Sequence, residues 1–271
     1  MIKLIATDID GTFLNDQNEY PVERFNQQLK QMQQFGIHFV VASGNQYHHL
    51  QDIFKEKSPV NTFISENGGL IMHRNQVIDA EPLPQPQLTM VLQRLTHDPA
   101  FADSSINLSG RNGNYMEKGD RLSDDPEMQY YFSNIKFVSD LAAVQDEIYK
   151  VNLISEHAKV APNARYLKQI LPTEFQATPS GFGSIDIIPT VVNKGTALAL
   201  LEDYWQLNPN QVMAFGDNLN DAEMLQHAHY GYAMKNARPE LKAQASFVTN
   251  LDNNSAGVFD VIDQVLTQVN E

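Results

Sequence analysis

Short, continuous apolar runs alternate along the chain with segments in which apolar residues recur every three or four positions. This is the rhythm of strands buried on both faces and of helices packed over them. Lys3–Asp8 reads as a buried strand that ends in a glycine turn. Val22–Phe35 reads as a helix, with Val22, Phe25, Leu29 and Met32 on one face, Pro21 suited to its first turn and Gly36 as its stop. Ile37–Ala42 and Thr62–Ser65 are further buried strands, with a helical segment, Gln46–Phe54, between them. After Leu83 the rhythm breaks. Pro84, Pro86 and Pro99 precede a polar stretch, Ser109-Gly110-Arg111-Asn112-Gly113-Asn114. Strands are then expected at Val151–Ser155, Glu174–Thr178 and Ser184–Ile188, with a helix over Ala164–Leu171 that Pro172 stops. The first rhythm resumes with a helix after Lys194, a strand over Gln211–Phe215, a helix over Asp221–His227 and a terminal helix over Val258–Val269. The expected class is α/β with a mainly parallel sheet, built from residues 1–82 and 188–271, with a second domain inserted over 83–187.

Composition narrows the function. Hydrophobic residues make up 42% of the 271 positions, enough for a sizeable core, which excludes a disordered chain. Nineteen basic against 33 acidic residues give a formal charge of −14. Such a surface repels nucleic-acid backbones and anionic lipids, so neither is an expected partner. A small anionic substrate remains compatible, provided that a cation and local donors reverse the field at the site. With no cysteine, disulfides, thiol nucleophiles and thiolate metal sites are excluded, and a reducing compartment fits. Leu4-Ile5-Ala6 is too short for a signal-peptide core and no run reaches the ~18 apolar residues of a membrane span, so a cytoplasmic location is expected. The pattern carries no signature of oligomeric state.

Four segments carry the candidate chemistry. Asp8-Ile9-Asp10-Gly11-Thr12 closes the first strand, and in open α/β sheets ligands bind beyond the carboxyl ends of strands. If strand geometry continues, residues two apart face the same side, so both carboxylates address one ligand. Two such carboxylates repel unless a cation lies between them, and Mg2+, a hard ion, matches oxygen ligands. An isolated Asp-Gly is more often a simple turn; the preceding strand and the second aspartate favour a site. Ser43-Gly44-Asn45 joins a strand end to a helix start, a donor cluster suited to phosphate or, more commonly, an ordinary helix cap. Lys194 stands at the start of a helix, where a cation opposes the helix dipole by about 0.3–1 kcal/mol unless an anion intervenes. Gly216-Asp217-Asn218-Leu219-Asn220-Asp221 follows a strand and supplies more acids and amides than one cap needs, with Asn220 expected as the cap of the next helix.

In this order the segments resemble the haloacid dehalogenase-like hydrolases, specifically the Cof-type sugar-phosphatase subfamily. Asp8–Thr12 resembles the first motif of that family, Ala42–Asn45 the second, Lys194 the third and Gly216–Leu225 the fourth, and Glu66-Asn67-Gly68-Gly69 resembles a recurring Cof-type stretch. Many Cof-type chains carry arginine where this one has Asn45; Ala-Ser-Gly-Asn-Gln-Tyr is similar to a subgroup of bacterial sugar and flavin-related phosphatases, a difference that bears on substrate more than on catalysis. The resemblance implies a Rossmann-like core and an inserted α/β cap that closes over the site to exclude water. It implies Asp8 as nucleophile through an aspartyl-phosphate and Asp10 as acid and base. It places Mg2+ on Asp8, the Asp10 backbone carbonyl and Asp217, with Asp221 beside them. It gives the phosphoryl group to Ser43, Gly44, Lys194, Asn220 and the Ile9 N–H. The implied activity is hydrolysis of a small phosphorylated metabolite. A phosphomutase on the same scaffold and a phospho-ligand sensor without turnover are the alternatives.

Other groups are expected to be structural. His48-His49 and His227-Ala228-His229 lack the further ligands a transition metal needs. Tyr130-Tyr131-Phe132 are expected to pack, Trp205 is expected in the core, and Arg111 lies in a stretch able to touch substrate.

Overall fold

The computed structural model describes residues 1–126, 128, 132, 134–180 and 183–270. The first apolar runs form β1 (Leu4–Thr7), β2 (His38–Ala42) and β3 (Thr62–Ser65), with β1 and β3 buried throughout. Between them lie α1 (Val22–Phe35) and α2 (Tyr47–Phe54). Two strands that the pattern does not announce follow, β4 (Leu70–His73) and β5 (Gln76–Ala80). The prolines after Leu83 open a helix rather than break the fold, because Pro84 caps α3 (Gln85–His97) and Pro86 sits in its first turn. The polar Gly/Asn stretch forms β6 (Ser105–Gly110) and β7 (Gly113–Glu117), followed by β8 (Ile135–Val138) and β9 (Ile148–Ile154). The helix expected over Ala164–Leu171 begins earlier, as α4 (His157–Ile170), and carries Pro162 within it. β10 (Phe175–Pro179), β11 (Ser184–Pro189), α5 (Lys194–Trp205), β12 (Val212–Gly216) and α6 (Ala222–His227) come next. β13 (Tyr230–Ala233), β14 (Phe247–Val248) and α7 (Gly257–Asn270) complete the chain. Tyr130 and Tyr131 lie outside the described residues. Phe132 packs against Met116, Met128 and Ile154. No helix among the described residues is long and apolar enough to cross a membrane.

The chain forms two compact units, one of residues 1–43, 51–79 and 193–271, the other of 44–50 and 80–192. The first holds an eight-stranded sheet in the order β14-β13-β12-β1-β2-β3-β4-β5. Its strands from β14 to β3 pair in parallel and β4 runs antiparallel to β3. The order steps away from β1 in both directions, to β2 on one side and β12 on the other, which places a ligand crevice at their carboxyl ends. The Phe13 ring, one residue past Thr12, anchors the turn after β1 in an aromatic cluster. It lies 4.7 Å from the Phe259 ring, 4.9 Å from Phe25 and 5.1 Å from Tyr20. Such ring pairs contribute about 0.5–1.5 kcal/mol each beyond their burial, so the turn stands on rigid packing. Trp205 is not in this core: it is half-buried at the end of α5 and stacks on the His38 ring at 3.9 Å.

The second unit holds a six-stranded sheet in the order β10-β11-β9-β6-β7-β8, antiparallel except for β7 with β8. Leu108, Val151, Leu153, Ile185 and Ile187 belong to an apolar core shared with Leu88 and Val91 of α3 and Leu167 of α4. The alternate positions are polar and equally buried. Asn107 Nδ2 donates to Asn114 Oδ1 and Asn152 Oδ1, both at 3.0 Å, and Asn152 Nδ2 donates to Asp186 Oδ1 at 2.8 Å. Lys150 pairs with Asp186 at 3.3 Å and donates to the Gly44 carbonyl, while Asn114 Nδ2 donates to Gln46 Oε1 at 2.9 Å. Most of these buried polar groups satisfy one another, which makes their burial tolerable, although Asn107 Oδ1 has no partner.

Candidate active site

Asp217 follows β12, Asp8 follows β1 and Ser43 follows β2, so the ends of three adjacent parallel strands carry three of the expected site residues. The strand geometry assumed from the sequence stops at Thr7. The next residues, Ile9–Phe13, form a turn closed by Leu14 N–H on the Ile9 carbonyl at 3.0 Å. Gly11 takes φ 76°, and a Cβ there would lie 2.8 Å from Asp217 Oδ2, so the turn requires glycine for both its conformation and its approach to Asp217. In consequence Asp8 is buried and Asp10 exposed, instead of the two sharing one strand face. Asp10 stays close enough for its charge to push both Asp8 and Asp217 upward.

Lys194, the first residue of α5, has no exposed surface. Asn193 and Thr196 satisfy the helix start through reciprocal bonds, so capping makes no demand on the lysine. Its Nζ donates to Asp8 Oδ1 and to Asp221 Oδ1, each at 2.6 Å. Burial alone would drive the ammonium toward neutrality, but the charges of Asp221 and Asp8 more than offset it and hold the group protonated. Asp221 uses its other oxygen, Oδ2, to accept the backbone N–H groups of Asp217 and Asn218 at 3.0 and 3.1 Å. The cap of this turn is therefore Asn218, closed by Asp221, and not the expected Asn220. That frees the Asn220 amide, whose Nδ2 donates to Asn67 Oδ1 at 3.0 Å. Thr12 Oγ1 donates to Asp217 Oδ1 at 3.0 Å, a contact the sequence reading missed.

Oxygens of Asp8, Asp217 and Asp221 lie within 4.8 Å of one another, the one such group of potential metal ligands among the described residues. Burial pushes Asp8 well above the usual carboxylate range; Lys194 opposes this, and the charges of Asp221, Asp217 and Asp10 add to it. Asp217 is pushed up to about 6, first by burial and then by the charge of Asp221. One ammonium does not neutralise this many acids. An all-oxygen set with surplus negative charge fits a hard divalent cation such as Mg2+. A linkage prediction follows. A carboxyl raised from 3.8 to about 6 on folding takes up protons in the native state, so metal-free stability falls as pH rises through that window. Cation and proton compete for the same oxygens. Mg2+ at a hundredfold excess over its Kd should therefore stabilise the protein at pH 7.5 by about 2.7 kcal/mol. The gain in melting temperature should shrink below pH 6 and should vanish in Asp217→Asn. A shift that ignores pH and survives that substitution would contradict the assignment.

Among the remaining expected residues, Ser43 is buried, its carbonyl accepts the Asn67 N–H at 3.0 Å, and the Ile9 side chain is buried beneath the turn. Gly44 belongs with the second unit, where its carbonyl accepts from Lys150. Arg111 pairs with Glu147 at 3.3 Å. His227 Nε2 lies 2.7 Å from Glu202 Oε1, and the His229 ring meets Tyr230 edge-on at 4.7 Å. Among the described residues, the one group of potential metal ligands contains none of these histidines, nor His48 or His49.

Residues 5–262 match the haloacid dehalogenase-like hydrolase family. The chain is 35% identical over 267 residues to the 5-amino-6-(5-phospho-D-ribitylamino)uracil phosphatase YbjI of Escherichia coli, covering 98% of this chain and 96% of that protein. It is 27% identical to an HMP-PP phosphatase of Yersinia pseudotuberculosis, covering 90% of this chain and 88% of that one. The crystal structure of SMU.1108c from Streptococcus mutans UA159 superposes with a TM-score of 0.88 at 34% identity, over 98% of this chain and all of the other.

Proposed function

The chain belongs to the haloacid dehalogenase-like hydrolases and is a phosphatase, and on that premise we propose that it hydrolyses a small phosphate monoester by attack of Asp8 on phosphorus. The observation that carries the proposal is the buried Lys194 ammonium, held 2.6 Å from both Asp8 and Asp221 at the ends of β1 and β12. It orients the buried Asp8 carboxylate. A catalytic nucleophile needs a fixed direction, and the rigid turn ahead of Phe13 supplies it.

In the first step an Asp8 carboxylate oxygen forms a bond to phosphorus as the ester P–O bond breaks, and Asp10 gives its proton to the departing alcohol. In the second, Asp10 takes a proton from water as that water attacks phosphorus, which frees inorganic phosphate and restores Asp8. Its exposure suits Asp10 to this shuttle, because the group must meet both the leaving alcohol and water. Lys194, the Ser43 hydroxyl, the Asn220 amide and the Ile9 N–H neutralise and orient the phosphoryl oxygens. Asp8, Asp217 and the Asp10 backbone carbonyl, with Asp221 beside them, would hold Mg2+, which when bound neutralises charge on the transferring group. Asp221 has both oxygens committed to Lys194 and to two backbone N–H groups, which favours a supporting part for it over a direct bond to the ion.

The names of two relatives make 5-amino-6-(5-phospho-D-ribitylamino)uracil a first candidate; other sugar and flavin-pathway phosphates, which the motif resemblance implies, follow, and the proposed location of the reaction is the cytoplasm. The test is release of inorganic phosphate from a panel of such esters, with and without Mg2+. One phosphate released per substrate consumed, in Mg2+ alone, is the expected result. Conversion to an isomer without phosphate release, or no turnover of any ester, would overturn hydrolysis.

A further inference from the structure

The loop Glu66-Asn67-Gly68 between β3 and β4 is buried and takes no part in the reaction described above. Its backbone is strained. Glu66 has φ 53° and Asn67 φ 57°, so two successive non-glycine residues occupy the left-handed region, at a cost on the order of 1 kcal/mol that falls mainly on Glu66. Three contacts hold the loop in that state. The Asn67 N–H donates to the Ser43 carbonyl at 3.0 Å, and Asn67 Oδ1 accepts from Asn220 Nδ2 at 3.0 Å. At Gly68, with φ 109°, a Cβ would lie 2.5 Å from the Asn193 carbonyl oxygen, so the backbone presses against the residue before Lys194. One strained loop thus braces the segments that carry Ser43, Lys194 and Asn220.

Resting on the proposed phosphatase reaction, we propose that Asn67 is a positioning residue for the transferring phosphoryl group, acting through Asn220. An amide is planar. Once one Asn220 N–H is committed to Asn67, the direction of the second is fixed, and that second N–H is the donor left for a phosphoryl oxygen. Asn67 is suited to this task because asparagine adopts the left-handed backbone at low cost while its oxygen faces Asn220.

A double-mutant cycle tests the proposal. Asn67→Gly keeps the left-handed backbone and removes the oxygen. It should lower kcat/KM by about tenfold, the cost of about one hydrogen bond to a charged group. In an Asn220→Ala background the same substitution should change kcat/KM by less than about twofold, because its route to the substrate is gone. The Mg2+ concentration for half-maximal rate should stay within about twofold throughout, whereas a general loss of site structure would move it. Calorimetric binding of inorganic phosphate should follow the same non-additive pattern. If Asn67→Gly melts too low to assay, Asn67→Ser, too short to reach Asn220, carries the same cycle. Losses that multiply independently, or an active Asn67→Gly with unaltered kcat/KM, would overturn the role. Wild-type protein without turnover would count against the reaction instead, and the phosphate-binding cycle would still decide on Asn67.

Discussion

Asp8→Asn should abolish phosphate release, by a factor on the order of 10^4 or more, while leaving the metal-free protein at least as stable as wild type. The first half follows from removing a nucleophile for which an amide is no substitute. The second follows from the electrostatics. Burial raises Asp8 well above its ordinary range despite Lys194, and the charges of Asp221, Asp217 and Asp10 add to it. A neutral amide of the same shape relieves that repulsion, and Lys194 keeps Asp221 as its partner at 2.6 Å. Activity and stability should therefore move in opposite directions, as expected where a site is strained for function. Steady-state phosphate release and thermal melting in EDTA check the pair. An Asp8→Asn protein that retains a hundredth of wild-type activity, or that melts well below wild type, would contradict the assignment.

Lys194→Met should be the most destabilising substitution in the site, costing about 3–5 kcal/mol at pH 7.5 without Mg2+. Methionine fills a similar volume, so the loss is electrostatic: Asp8, Asp217 and Asp221, within 4.8 Å of one another, lose the ammonium that binds two of them. The sign of the pH dependence separates this from a packing defect. Without the lysine Asp8 and Asp217, already raised, are pushed higher still in the folded state, so protons favour folding, and the deficit should narrow as pH falls below about 6. Mg2+ should restore part of the stability but not the activity, since the phosphoryl oxygens lose their cationic partner. Denaturant unfolding across pH measures this, and a deficit that is the same at pH 5 and 8 would point to packing.

Much of the parallel-sheet core was legible because β1, β2 and β3 are buried almost throughout and read as largely apolar runs. The inserted unit was less so. β6 and β7 carry Asn107, Ser109 and Asn114 on a buried polar face, and in sequence that composition is indistinguishable from a loop. α3 was hidden by Pro84 and Pro86, which mark a helix start only once the helix is seen. At the site, Asp8, Lys194 and Asp217 announced themselves by residue type and by position at element ends. The stretch that holds Asn67 stood out only by its resemblance, and the residue's role did not show, because it lies in a bond to Asn220, 153 positions away. Asn218 and Asn220 exchanged roles for a similar reason: which of two neighbouring amides caps a turn is decided by where Asp221 folds back.

The central claim is that phosphorus becomes bonded to Asp8. In Asp10→Asn the second step should slow more than the first, so the phosphorylated protein should accumulate during turnover. Borohydride reduces an aspartyl-phosphate to homoserine, and peptide mass spectrometry locates the changed residue. The expected result is homoserine at position 8, dependent on both substrate and Mg2+ and absent from Asp8→Asn. Reduction at Asp10, Asp217 or Asp221, or an unmodified chain during steady turnover, would contradict the account.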